Sequence, residues 1–147
     1  MAYEKFLSGY LFSNDKLLLQ TGTIHQYLSK ESYWAQNIPL EVVSRTIAGS
    51  ECFGVYYNDK QIGFARVITD NVSFGYLADV FILNEFRGKG LSKELMTFIM
   101  TYPPFKMLRR FMLATRDAQE LYKKFGFTPL SEPQRFMEIR PFESYLV

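Results

Sequence analysis

The sequence predicts a single α+β domain built on a mixed sheet, and three observations carry that prediction. Its 147 residues suit one domain at ~100–200 residues per domain, and they are enough to bury a core without disulfides or metals. Hydrophobic residues make up 48% and charged residues 22%, the balance of a globular chain rather than a disordered, collagenous or coiled-coil one. Short apolar runs joined by turn signals dominate the first half, and helical apolar stripes alternate with strands in the second.

Residues 6–12, Phe-Leu-Ser-Gly-Tyr-Leu-Phe, read as a first strand ending at a polar turn, Ser13-Asn14-Asp15. Leu17-Leu18-Leu19 is too short for periodicity to assign. From Thr23, a candidate cap, Ile24, Tyr27 and Leu28 fall at helical spacing. Pro39 suits a first helical position, Leu40, Val43 and Ile47 form one face, and Gly49 is a natural stop. Residues 52–57 and 62–68 read as strands, and Asn58-Asp59 between them makes a hairpin. Thr69-Asp70-Asn71 turns the chain into a strand over 74–83. Leu91, Leu95, Phe98 and Ile99 stripe a helix to about Thr101, which Pro103-Pro104 ends. Residues 111–115 form a short strand. Ala118, Leu121, Tyr122 and Phe125 stripe another helix closed by Gly126, and residues 135–139 are a last strand. No repeat, low-complexity tract or linker divides residues 1–147.

Composition removes several functions. Seventeen basic against 15 acidic side chains leave a net charge of +2, too little to predict nucleic-acid binding. Cys52 is the only cysteine and His25 the only histidine, which argues against an internal disulfide and against a zinc or other metal site. No apolar run approaches the ~20 residues of a membrane span, and the first residues resemble neither a signal peptide nor a lipidation site. The expectation is a cytoplasmic chain with no membrane association.

Chemistry concentrates in residues 79–92, Asp-Val-Phe-Ile-Leu-Asn-Glu-Phe-Arg-Gly-Lys-Gly-Leu-Ser. A β run ends in a glycine turn and a helix starts directly after it. The first N–H groups of that helix have no partner within it and face outward at the positive end of its dipole. Gly88 and Gly90 remove side chains, so a phosphate can approach the backbone, and Arg87 and Lys89 add charge. The alternative is a tight turn and nothing more. The spacing fits neither a P-loop nor the dinucleotide fingerprint.

This stretch resembles the GNAT acetyltransferase superfamily, whose signature Gln/Arg-x-x-Gly-x-Gly/Ala falls on Arg87, Gly90 and Ser92. About thirty residues on, Leu121-Tyr122-Lys123-Lys124-Phe125-Gly126-Phe127 resembles the family's helix ending in Tyr-x-x-x-Gly-Phe. Tyr33-Trp34-Ala35 is similar to a stretch in a small bacterial-type, single-domain subgroup. The resemblance implies a GNAT-like fold over residues 1–147. That fold has a central mixed, mostly antiparallel twisted sheet of about six to seven strands flanked by about four helices. It also implies transfer of an acetyl group from acetyl-CoA, as co-substrate, to a primary amine by direct attack in a ternary complex.

By that resemblance the backbone of Val80, Phe81 and Ile82 meets the pantetheine arm where the strand splays from its neighbour. Residues Arg87, Gly88, Lys89, Gly90, Leu91 and Ser92 then hold the pyrophosphate. Thr115 stands where the family carries Asn and joins the cofactor contacts. Tyr122 takes the place of the general acid, since a phenol of pKa ~10 stays protonated at neutral pH. Its alternative is a core tyrosine on an apolar stripe.

A Lys-like amine of pKa ~10.4 must lose a proton before attack. Asp79, at the head of the signature strand, is the candidate base or amine anchor, with structural hydrogen bonding as the alternative. Glu85 is the weaker candidate. Cys52 as an acyl carrier and His25 as a catalyst both yield to plainer readings, a buried small hydrophobe and a capping or exposed ring.

The loop around Tyr33 and Trp34 is expected to shape the acceptor pocket, with aromatic walls for apolar or cationic groups. Arg66, among apolar neighbours, meets a carboxylate of substrate or of protein. Arg109-Arg110 meet the CoA 3′-phosphate or are surface charge. The acceptor is a small molecule or a protein, and the nearly balanced charge favours the small molecule over cationic tails. A homodimer is compatible with the many aromatics. The competing readings are a non-catalytic acyl-CoA-binding sensor or accessory protein of the same fold, and an interaction protein with an aromatic surface.

Overall fold

Two tight turns of left-handed backbone shape the first half of the chain, as seen in a computed structural model that describes residues 1–145. Ser8 and Gly9 have φ of 53° and 87°, and Asn58 and Asp59 have 49° and 64°. Two consecutive residues at positive φ make a two-residue hairpin whose twist matches its flanking strands. The first turn splits the single strand expected over 6–12 into β1 (Glu4–Leu7) and β2 (Tyr10–Ser13). The second joins β3 (Glu51–Tyr57) to β4 (Lys60–Thr69), as the sequence predicts.

The apolar run at 17–19 closes a short 3₁₀ turn, Lys16–Leu18. Helix α1 spans Thr21–Gln26 and starts before Thr23, which is not its cap. The reason is tertiary. The Gln20 N–H donates to Gln61 Oε1 at 2.7 Å, while Gln20 Nε2 donates to the Asp59 carbonyl at 2.8 Å. The chain is thereby pinned at the helix entrance. After α1 the helix widens into a π turn over Tyr27–Glu31. Helix α2 (Leu40–Ala48) follows Pro39 and ends at Gly49.

Strand β5 (Phe74–Ile82), helix α3 (Leu91–Met100), strand β6 (Arg110–Leu113) and helix α4 (Gln119–Lys123) complete the fold. The six strands form one sheet in sequence order, antiparallel except for β5 and β6. A parallel pair needs a crossover, which α3 supplies. The expected last strand over 135–139 is absent. Pro133–Arg135 make a 3₁₀ turn, and no sheet pairing follows among the described residues. An alternating pattern makes a strand only where an edge accepts it. Here Phe136 instead lies 4.9 Å from the Arg110 guanidinium, as a cation–π contact.

Both faces of the sheet are covered. Leu91, Leu95, Phe98 and Ile99 of α3 and Tyr122 of α4 pack on Phe12, Phe53, Val55, Ala65, Val67 and Leu77. On the other face Ile24, Tyr27, Leu28, Ile38 and Val43 pack on Cys52, Phe64 and Phe81. Among the described residues no helix is long and apolar enough to cross a membrane.

Candidate active site

Strand β5 breaks its own alternation at Asp79. Phe64 pairs with Phe81 and Arg66 with Ala78, so Asp79 and Val80 together oppose the single residue Ala65. This is a β-bulge, and Asp79 takes the left-handed backbone it requires, φ 56°. The parity of the strand flips there: Leu77 before the bulge and Val80 and Ile82 after it all pack toward α3. Beyond Leu77, paired with Leu113, β5 and β6 part. Residues 78–82 and 114–118 line opposite sides of the cleft that opens, whose volume is about 1020 Å³.

That cleft brings together Tyr33, Trp34, Arg66, Asp79, Val80, Phe81, Ile82, Arg87, Ser92, Thr115 and Tyr122. These eleven span four separate stretches of sequence. Gly88, Lys89 and Gly90 form the exposed turn between Arg87 and Ser92. Gly88 and Gly90 have φ of +78° and +77°, and nothing lies within 4 Å of a Cβ built on either. Gly90 is the residue before α3, whose first intrahelical bond runs from the Glu94 N–H to the Gly90 carbonyl at 3.1 Å. The amides of Leu91, Ser92 and Lys93 precede that bond, at the positive end of a ten-residue helix. The side chains of Phe81, Ile82 and Leu91 are buried in the core. Only their backbone atoms can meet a ligand.

Arg87 differs from its expectation as a free anion ligand. Its Nε donates to the Ile82 carbonyl at 3.1 Å and its Nη2 to the Tyr27 hydroxyl at 2.7 Å. The Arg66 guanidinium is likewise committed within the protein. Its Nε donates to Asp79 Oδ2 at 2.6 Å and its Nη1 to Ser50 Oγ at 2.9 Å. Of the two carboxylates open to Arg66 in the sequence, the protein's own is the one it meets. Asp79 Oδ1 accepts from Trp34 Nε1 at 2.7 Å, so both carboxylate oxygens of Asp79 are engaged. The Arg66–Asp79 side chains are only 14% and 9% exposed.

Tyr33 and Trp34 meet edge to face at 5.0 Å. The Arg116 guanidinium lies 3.8 Å over the Tyr33 ring, and the Tyr33 hydroxyl accepts the Arg116 N–H at 3.1 Å. The loop holding them is fixed by a buried serine: Ser32 Oγ donates to the Leu28 carbonyl at 2.6 Å and accepts the Ala35 N–H at 3.1 Å. Thr115 Oγ1 accepts the N–H of Ala118, the residue before α4, at 3.1 Å. Tyr122, 8% exposed, sits on that helix. Burial, reinforced by the Tyr33 phenol and the Asp117 carboxylate, pushes its pKa up to about 12. It is protonated at any physiological pH.

Several candidates fall away from the cleft. Cys52 is 1% exposed and burial pushes its thiol up to about 11, the reverse of an activated nucleophile. His25 Nε2 lies 3.0 Å from the Ile38 carbonyl. Glu85 pairs loosely with Lys60 at 3.8 Å on the surface. Arg109 and Arg110 line a separate groove with Phe127 and Phe136. Conversely, sequence reasoning missed Tyr27, Arg116, Ser50 and the tail residues Glu138 and Arg140, which line or brace the cleft. Tyr27 was legible only as one apolar position of a helical stripe. Arg116 adjoins Thr115 but belongs to no motif.

Residues 48–129 match the family model described as an acetyltransferase (GNAT) domain. A provisionally named acetyltransferase of Gibberella zeae is 33% identical over 135 residues, covering 78% of this chain and 76% of its own. A crystal structure from Xanthomonas campestris pv. campestris, provisionally named a GNAT acetyltransferase, is 47% identical with a TM-score of 0.89. The match covers 92% of this chain and 95% of that one. A GNAT acetyltransferase from Elizabethkingia anophelis, solved with acetyl-CoA bound, shares the fold at 14% identity and a TM-score of 0.63. It covers 83% of this chain and 78% of its own.

Proposed function

Because the chain belongs to the GNAT acetyltransferase family, we propose that it transfers the acetyl group of acetyl-CoA to a primary amine by direct attack in a ternary complex. The observation that carries this reading is the meeting, in one cleft, of the bulged strand β5, of Arg87 and Ser92 on either side of the glycine turn, and of Tyr122. Acetyl-CoA fits the residues present. The turn at Gly88 and Gly90 offers open backbone, and the amides of Leu91, Ser92 and Lys93 with the charge of Lys89 suit a pyrophosphate. Bound there, acetyl-CoA supplies a thioester whose carbonyl accepts the amine.

The chain's own residues do the rest. At the bulge the backbone leaves its ladder, so an amide of the 79–82 segment is free to stabilise charge on the thioester oxygen. The new N–C bond forms as the C–S bond breaks, and the electron pair leaves on sulfur. Tyr122 gives its phenolic proton to that sulfur and regains one from water. The amine gives its proton to solvent. Asp79, with both oxygens taken, acts as the anchor that fixes Trp34 in the acceptor wall rather than as the base. Tyr33, Trp34 and Arg116 face the acceptor, which we take to be a small molecule.

Calorimetric titration with acetyl-CoA tests the cofactor site. Micromolar binding is expected, and no heat up to millimolar concentration overturns the reading. Free-thiol release with a panel of primary amines then separates catalysis from a binding-only module.

A further inference from the structure

One side chain bridges the glycine turn and the acceptor wall, and no motif announces it. Tyr27 is 6% exposed and opens the π turn Tyr27–Glu31. Its hydroxyl accepts a 2.7 Å bond from Arg87 Nη2, a charge-assisted bond of the stronger kind. Its ring stacks on Phe81 of the bulged strand, centroids 4.0 Å apart and planes 8° from parallel. The same ring lies 6.4 Å from Trp34, within the range of an aromatic pair. Its carbonyl accepts the Ser32 N–H at 2.9 Å, closing the π turn two residues before Trp34. Trp34 in turn donates to Asp79, which pairs with Arg66.

We propose that Tyr27 is a positioning residue that ties the glycine turn to the acceptor wall, so that filling the turn is felt at Trp34. The proposal rests on the reading above that residues 87–92 hold the pyrophosphate. Arg87 is exposed, and its guanidinium donates to Ile82, to Tyr27 and, at 3.5 Å, to Asn84 Oδ1. An anion at the turn therefore competes with the Tyr27 hydroxyl for the guanidinium. The Tyr27 ring is buried, with Phe81 stacked on it at 4.0 Å and Trp34 at 6.4 Å. A change in its hydroxyl bond reaches Trp34 through packed contacts alone. Single π turns within helices recur at functional sites, and here the extra residue sets Tyr27 against both neighbours at once.

Trp34 is the only tryptophan, so its emission is a native reporter that needs no acceptor. The wild type, Tyr27→Phe and Arg87→Lys are titrated with acetyl-CoA, following heat by calorimetry and Trp34 fluorescence in parallel. In the wild type the emission changes along the same isotherm as the heat. Tyr27→Phe keeps the ring and its stack, still gives heat on titration, and loses more than half of the emission change at saturation. Arg87→Lys, at the exposed end of the same bond, loses a similar share, and the double variant loses no more than either. A wild-type isotherm in heat with silent Trp34, or a full emission change in both single variants, overturns the proposal. A merely structural Tyr27 would lower stability or affinity without removing the saturating emission change. Absence of heat in the wild type removes the cofactor reading itself and the relay with it, and the calorimeter identifies that failure separately.

Discussion

Tyr122 shows how burial cuts both ways at a single residue. A phenol at about 12 is a secure proton store but a reluctant donor. Against a free thiol of ~8.5, full transfer is uphill by roughly 5 kcal/mol. The same chain holds the resolution: the buried thiol of Cys52 is pushed up to about 11. A thiolate expelled into the cleft beside Tyr122 is also partly desolvated, which raises its affinity for a proton and narrows the gap. Tyr122→Phe is expected to lower turnover by about 10²-fold with little change in acetyl-CoA affinity. Thiol release and calorimetry measure the two, and an unchanged turnover removes Tyr122 from the mechanism. At the neighbouring anchor, Asp79→Asn keeps an acceptor for Trp34 but strands the Arg66 charge. Urea denaturation should show a loss on the order of 3 kcal/mol.

At the scale of elements, the site depends on two departures from regular structure. The bulge at Asp79 and Val80 interrupts the ladder of β5, which resumes at Phe81 and Ile82, and reverses which residues face α3. The left-handed Gly90 begins α3 with its amides exposed. A side chain at Gly90 meets no neighbour within 4 Å, so the cost of Gly90→Ala lies in backbone strain, about 1–2 kcal/mol. The same methyl stands where the pyrophosphate is proposed to approach. Gly90→Ala is therefore expected to weaken acetyl-CoA binding several-fold beyond what its melting temperature explains, with calorimetry as the check. Gly63 differs in kind. A Cβ there would lie 2.7 Å from Ile82 Cδ1 and 3.1 Å from Val55, so Gly63→Ala overpacks the core by about 1–3 kcal/mol and tests packing, not binding.

For the whole molecule, binding and pH both register as stability. Acetyl-CoA at a hundred times its Kd should add ~2.7 kcal/mol. For a domain of this size that raises Tm by roughly 5–10 °C, which differential scanning fluorimetry reads. Cys52 contributes to the alkaline limit alongside the buried phenols of Tyr56 and Tyr122, which burial also raises. Its thiol rises from an ordinary 9.0 to about 11 in the folded state, so the fold holds that proton more tightly than the unfolded chain does. The stabilisation is complete below pH 9, shrinks as the pH climbs through 11, and amounts to about 2–3 kcal/mol. Urea midpoints of the wild type should fall over that window, and those of Cys52→Ala should fall less.

Most of the elements were legible in the sequence, apart from the split of residues 6–12 and the missing strand at 135–139. The glycine turn, the strand before it, the helix after it and the tyrosine of α4 are local patterns, because turn chemistry and apolar periodicity act over a few residues. The hairpin at Asn58-Asp59 was legible for the same reason. Tertiary structure alone decided the rest. The start of α1 is set by Gln20 and Gln61, forty-one residues apart, and no local cap encodes such a pair. The strand pattern over 135–139 kept its period without joining the sheet: Met137 and Ile139 are exposed, while Glu138 and Arg140 line the cleft. Whether Arg66 faces substrate or Asp79 depended on which side the bulge turned the carboxylate. A hydrogen-bonded bulge is a property of two strands, not of one. Tyr27 was invisible for the same reason: its role lies in contacts to residues fifty-four and sixty positions away, which only the folded chain brings together.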